Sequence, residues 1–234
     1  MRPRTPRTWI TGLLVGLLLL ATPALAQHLR IYYPDIEQGS STLVVSPTGQ
    51  GLLVDAGTEL DATDDDVVLF LEDLIDQGIL ASLDYLVATH YDEDHIGRME
   101  NVFQYVPLAP GVVTYDRGEF MSTPSTFAYS DYAFGAGLNN RTTVACSTSS
   151  FDLDLGGGAT VKFANVNGEV CGGPTVDVSG AGQFENNVSV TIVVSYECRD
   201  AGENNFIYGM RAEVSPGDSI LMGVTAVLEE QGEE

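Results

Sequence analysis

Histidine is scarce in this chain. Of His28, His90 and His95, two fall within Thr89-His90-Tyr91-Asp92-Glu93-Asp94-His95-Ile96-Gly97, with three carboxylates between them. Imidazole nitrogen and carboxylate oxygen are the ligands of Zn²⁺, and they also suit Mn²⁺ or Fe²⁺. Side chains alternate along a strand, so His90 and Asp92 at a strand end point the same way. Asp94 and His95 come one loop later, on the first turn of a helix, where they can face back toward that point. Gly97 lets a neighbouring backbone come close. An acidic helix start with two incidental histidines is the competing reading, since acids favour a helix N-terminus. That reading leaves both histidines unexplained, and a metal site is the stronger one.

These residues need a strand before them and a helix after them. The run "LDYLVA" reads as a buried strand that ends at His90. Residues 94 to 106 carry Ile96, Met99, Phe103 and Val106 at helical spacing, closed by Pro107. Upstream, "LRIYYPDI", "STLVVS" and "GLLVDAG" read as strands, and Pro47-Thr48-Gly49-Gln50 joins the last two as a hairpin. Asp55 and Gly57 end the second of that pair. A helix is expected over residues 64 to 77, with Val67, Phe70, Leu71, Leu74 and Ile75 on one face. Asp64 to Asp66 suit its positive end, and Gly78 stops it.

The second half is less regular. "GVVTYD" (residues 111 to 116) reads as a strand. Residues 117 to 150 form a long excursion in which Tyr129, Tyr132 and Phe134 either line a cleft or pack the loop down. "ATVKFANV", "VSVTIVVSY" and "NFIYG" read as strands, and "SILMGVTAVLEEQGEE" is ambiguous between strand and helix. No internal repeat and no linker divides the chain.

Composition bounds the rest. Arg2, Arg4 and Arg7, the apolar run Trp9 to Leu20 and the small residues of "ATPALA" have the order of a secretory signal peptide over residues 1–26. Cleavage after Ala26 would leave residues 27–234 as one secreted or periplasmic domain. The apolar run is short for a membrane span, and no later segment is long enough to try. Losing three arginines and no acid takes the formal charge from −23 to −26, and Lys162 is the only lysine. Such a surface repels phosphate backbones and anionic membranes, which disfavours a nucleic-acid partner. Cys146, Cys171 and Cys198 allow one disulfide and one leftover thiol, and the sequence does not say which pair forms. "DATDDD" lacks the glycine and final glutamate of a calcium loop, and a helix N-terminus explains it better.

The stretch "THYDEDHIGR" resembles the metallo-β-lactamase superfamily motif His-x-His-x-Asp-His, in the form His-x-Asp-x-Asp-His found in the hydrolase domain of competence-type DNA-uptake proteins. "YYPDIEQGSSTLVVSPTGQGLLVDAG" resembles that group's opening, and "ENNVSVTIVVSY" its Asn-rich turn before a long strand. The resemblance implies an α/β protein with a metallo-β-lactamase-like αββα sandwich, here with an incomplete second half. It implies that His90 and Asp92 bind one metal, that Asp94 and His95 bind a second, and that Asp94 is catalytic. Asp55 would orient a ligand. The implied reaction is hydrolysis of an ester or phosphodiester of a small molecule by metal-bound hydroxide, with Zn²⁺, or Mn²⁺ or Fe²⁺, as cofactor. The chain departs from the pattern after His95, where no further histidine occurs. Met210-Arg211 stand where Gly-Asp is expected, which leaves Asp218 either as the one substitute for a bridging carboxylate or as an ordinary turn residue. Two classes therefore stay open: an exported metal-dependent hydrolase, or a degenerate binding protein that keeps the fold.

Overall fold

In the computed structural model the described residues are 28–36, 39–58, 67–119, 126–146, 153–175, 178, 184–199, 205–213 and 223–230. The first sheet is built from β1 (Arg30–Tyr32), β2 (Ser41–Val45), β3 (Gln50–Ala56), β4 (Ser82–Val87), β5 (Leu108–Asp116) and β6 (Thr142–Thr143), side by side in chain order. The expected hairpin is there: β2 and β3 pair antiparallel around a turn in which Gly49 has φ +86°. From β3 onward the pairing is parallel, β3 with β4, β4 with β5 and β5 with β6. Such strands are covered on both faces and read as continuous apolar runs. Leu52 and Leu53 show this, since both are fully buried although they point to opposite faces.

Leu53 faces the helices. α1 (Val67–Asp76), α3 (Met99–Tyr105) and α4 (Phe127–Leu138) pack Leu71, Leu74, Met99, Val102, Tyr132 and their neighbours against that side of the sheet. Leu52 faces a second sheet of β7 (Leu153–Gly156), β8 (Ala159–Val166), β9 (Glu169–Val170), β10 (Thr191–Arg199), β11 (Asn205–Glu213) and β12 (Gly223–Glu230). Val44, Leu52, Val54 and Val87 meet Leu155, Val161, Phe163 and Val194 there, in a separate apolar core between the sheets. The sandwich of sheets with helices is the expected class. Within the ambiguous last stretch Gly223–Glu230 form a strand, β12.

Three expectations need correction. The helix read over residues 94–106 is two pieces, α2 (Glu93–Ile96) and α3, because the chain at Gly97 and Arg98 leaves the helix to bond Gly57: the Arg98 N–H donates to its carbonyl at 3.2 Å. The strand before the motif ends at Val87, so Ala88 to Asp92 form the connecting loop. The excursion over 117–150 contains α4, capped by the Thr126 hydroxyl accepting from the Tyr129 N–H. In that helix Tyr132 is buried while Phe134 is 73 % exposed, so the first packs the segment down and the second does not. Among the described residues one disulfide forms, Cys146–Cys171, and it ties the segment after β6 to the loop after β9. Residues 1–26, the acidic start Asp64 to Asp66 and Asp218 lie outside the described residues.

Candidate metal centre

The motif loop sits at the carboxyl ends of β3 and β4, the side on which parallel α/β sheets carry their sites. Asp55, the penultimate residue of β3, organises it. Its carboxylate is buried and accepts the Thr89 N–H at 2.8 Å, the Thr89 hydroxyl at 2.7 Å and the His95 Nδ1–H at 2.8 Å. Three donors on one carboxylate hold β3, the end of the β4 loop and α2 together. Asp55 keeps φ at +57°, a conformation that costs free energy outside glycine and that recurs where structure serves a site.

The same contacts settle which ring nitrogens carry protons. A carboxylate only accepts, so in both neutral and charged rings His95 donates from Nδ1. The Thr89 hydroxyl spends its proton on Asp55, so it accepts from His90 Nδ1 at 3.0 Å. In the neutral rings Nε2 is then the lone-pair atom of both histidines. This is the arrangement in which a hydrogen-bonded imidazole binds a metal through its other nitrogen.

The two rings lie 3.9 Å apart between centroids, tilted by 50°. His90 Nε2 is buried and has no hydrogen-bond partner among the described residues. The Asp92 carboxylate lies 3.5 Å from it, an ion-pair separation too long for a good hydrogen bond. Asp94 Oδ2 lies 3.9 Å from His95 Nε2. The side chains of Asp92 and Asp94 are 43 % and 40 % exposed while the imidazoles are buried, so nitrogen donors form the floor and oxygen donors the mouth. The donors stand as two imidazole–carboxylate pairs. Among the described residues no three His, Cys, Asp or Glu side chains converge on one point suited to an ion.

Charge follows this layout. Contact with His90 holds the Asp92 carboxyl below the usual carboxylate range, against the opposing effect of burial. At His95 burial disfavours the imidazolium, but the Asp55 carboxylate, with Asp94 and Asp92 beyond it, outweighs burial and raises the pKa above the ordinary histidine value. By ligand type, though not by convergence on one point, the donor set suits a divalent cation: it has two imidazole nitrogens free to offer lone pairs, two carboxylates, and a buried His90 Nε2 with no hydrogen-bond partner among the described residues. His90, Asp92, Asp94 and His95 lie close together, and Asp55 lies behind them, hydrogen-bonded to Thr89 and His95.

Four charged residues around the site escaped sequence reading. Asp116 ends β5 fully buried and accepts from Gly118 N–H, Tyr132 hydroxyl and Arg141 Nε at 2.8, 2.7 and 2.6 Å. Arg117 is buried beneath the motif loop and Glu185 of α5 (Phe184–Asn187) pairs with it at 2.6 Å. Arg141 donates onward to the Tyr91 hydroxyl at 3.0 Å. One signal was available: "GVVTYDRG" closes an apolar strand with two adjacent residues of opposite charge, in a chain with few cations.

Comparison with known proteins follows this geometry. The family model described as the metallo-beta-lactamase superfamily matches residues 34–180. No curated protein matches the chain. Among solved structures, the chain is similar to one titled "Crystal Structure of a New Diphosphatase from the PhnP Family", with 16 % identity and a TM-score of 0.32. The alignment covers 67 % of this chain, which spans about half the length of that protein, 47 % of it.

Proposed function

From a chain that belongs to the metallo-β-lactamase superfamily, we infer a metal-dependent hydrolase of an ester or phosphodiester in a small molecule. The observation that carries this is the buried Nε2 of His90, unpartnered among the described residues beside a second imidazole locked through Asp55. A bound Zn²⁺, or Mn²⁺ or Fe²⁺, supplies Lewis acidity toward water and the substrate's oxygen. The chain's own residues do the rest. His90 and Asp92 would hold one ion and Asp94 and His95 a second, with Asp218 proposed as a further carboxylate ligand. Asp94, at the mouth of the site, is the proposed catalytic carboxylate, orienting water toward the substrate. Asp55 and Thr89 keep both rings in the tautomer that offers Nε2.

One observation favours the second reading, a degenerate protein that binds without hydrolysis. Among the described residues each imidazole Nε2 has a single carboxylate near it, where closed zinc sites use four protein ligands and catalytic ones three. Hydrolysis of generic phosphodiesters and carboxylic esters, with and without added Zn²⁺ or Mn²⁺, separates the two. Metal-stimulated turnover that disappears in His90→Ala supports the hydrolase; metal uptake without turnover selects the binding protein.

The competence-type likeness suggests phosphodiester over β-lactam chemistry. The acidic surface argues for a small substrate and against a nucleic-acid strand. Export belongs to the same proposal, since residues 1–26 have a signal peptide's composition. Exported material is expected to begin at Gln27 on N-terminal sequencing, and Met1 retained on cytoplasmic protein would refute it.

A further inference from the structure

The segment between the two proposed ligands of the first ion, His90 and Asp92, is held from the other sheet. The Tyr91 N–H donates to Glu185 Oε2 at 3.2 Å. Glu185 belongs to the short helix that leads into β10, distant in sequence from the motif. Its carboxylate is gripped at both oxygens by Arg117, Nε to Oε2 at 3.1 Å and Nη2 to Oε1 at 2.6 Å. A bidentate guanidinium–carboxylate pair has a fixed planar geometry, so it sets the direction in which Oε2 points. The Arg117 side chain is fully buried, and its guanidinium lies 4.2 Å from the centre of the Tyr91 ring, so it also meets the other end of the same residue. A second tie runs alongside: the Val190 N–H donates to the Thr89 carbonyl at 2.7 Å. The chain thus grips Thr89 and Tyr91 on either side of His90.

We propose that Glu185 is a positioning residue for the metal centre, fixing the His90–Asp92 segment through the Tyr91 N–H while Arg117 aims its carboxylate. In purpose this rests on the metal reading above; in mechanism it concerns the backbone alone. A merely structural role would be to satisfy a buried arginine. The two roles separate when the charges are removed together, since neither variant then keeps a lone buried charge. Glu185→Gln with Arg117→Met keeps an acceptor for the Tyr91 N–H, and Glu185→Leu with Arg117→Met does not.

The full-length protein is titrated with Co²⁺, and Tyr91 amide hydrogen exchange is measured in the metal-free state. The Leu/Met variant is expected to bind Co²⁺ about 10- to 100-fold more weakly than the Gln/Met variant, the usual effect of losing a group that orients a ligand. The Tyr91 amide should stay protected in the Gln/Met variant and exchange at least about tenfold faster in the Leu/Met variant, where its hydrogen bond is lost. Equal Co²⁺ affinity and equal Tyr91 exchange in the two variants would overturn the proposal. If the native protein takes up no Co²⁺, the metal reading fails. The metal-positioning role then falls with it, and the Tyr91 exchange decides only whether Glu185 holds the His90–Asp92 segment.

Discussion

At the scale of single residues, Asp55 and Thr89 determine what the two histidines can do. Thr89→Val keeps the shape and removes the hydroxyl that orients His90 Nδ1. The expected result is a loss of about 10- to 100-fold in metal affinity, with the fold retained by circular dichroism; unchanged affinity would show that the His90 tautomer is set elsewhere. Asp55→Asn tests the electrostatics in the metal-free protein. The Asp55 carboxylate raises the His95 pKa against burial, so its removal should drop that pKa, as followed by NMR titration of the ring. The sign for stability follows. A raised folded pKa means that the His95–Asp55 interaction contributes fully below the unfolded value near ~6.5 and is lost as pH rises through the folded pKa. Raising the pH across that window should therefore destabilise the native protein more than Asp55→Asn. The motif was legible because two of three histidines cannot fall five apart, among acids, without notice. Asp116, Arg117 and Glu185 were not, because a lone charged residue has no spacing to betray that its partner lies on another element.

At the scale of elements, the motif helix is placed by a strap that precedes β2. Gly39 has φ +104°, and a Cβ there would fall on the Asp94 carbonyl, which also accepts the Ser40 N–H at 3.0 Å. Gly39→Ala should cost well over ~1 kcal/mol in urea unfolding and lower metal uptake, because the clash pushes α2 away from His90. Gly49→Ala is the control. Its φ of +86° carries the same kind of strain, but no atom of the described residues lies within 4 Å of the new atom. It should be milder and leave metal uptake intact; equal effects would show that backbone strain alone matters at Gly39. Strands β2, β3, β8 and β10 were readable from apolar runs and turn residues, since β3 and its neighbours are buried on both faces. α4 was not, because the residues it buries, Tyr132, Gly135 and Ala136, make no apolar stripe, while Phe134 and Leu138 are exposed. Gly135 is used for contact instead, with the Phe103 ring occupying the place of a side chain.

At the scale of the whole molecule, two sheets share the core and both reach the site, the first through Asp55 and the motif loop, the second through Glu185 and Val190. The Cys146–Cys171 bridge joins them, closing a sequence separation of 25 residues. A loop of that size is worth about 3.5 kcal/mol in the chain-entropy picture. Cys171→Ser is expected to lower the urea midpoint correspondingly, and an unchanged midpoint would mean that the sheets are held without the bridge. The central claim is that the motif binds a divalent ion through side chains standing in two pairs. Its most direct test is metal analysis of the native protein after exhaustive dialysis, beside the Asp94→Ala, His95→Ala double variant. Two protein donors per ion hold metal weakly compared with the four of a closed zinc site. The native protein should therefore retain no more than about one ion, and the double variant less. Metal content untouched by the double substitution, or two tightly held ions in the native chain, would contradict the account.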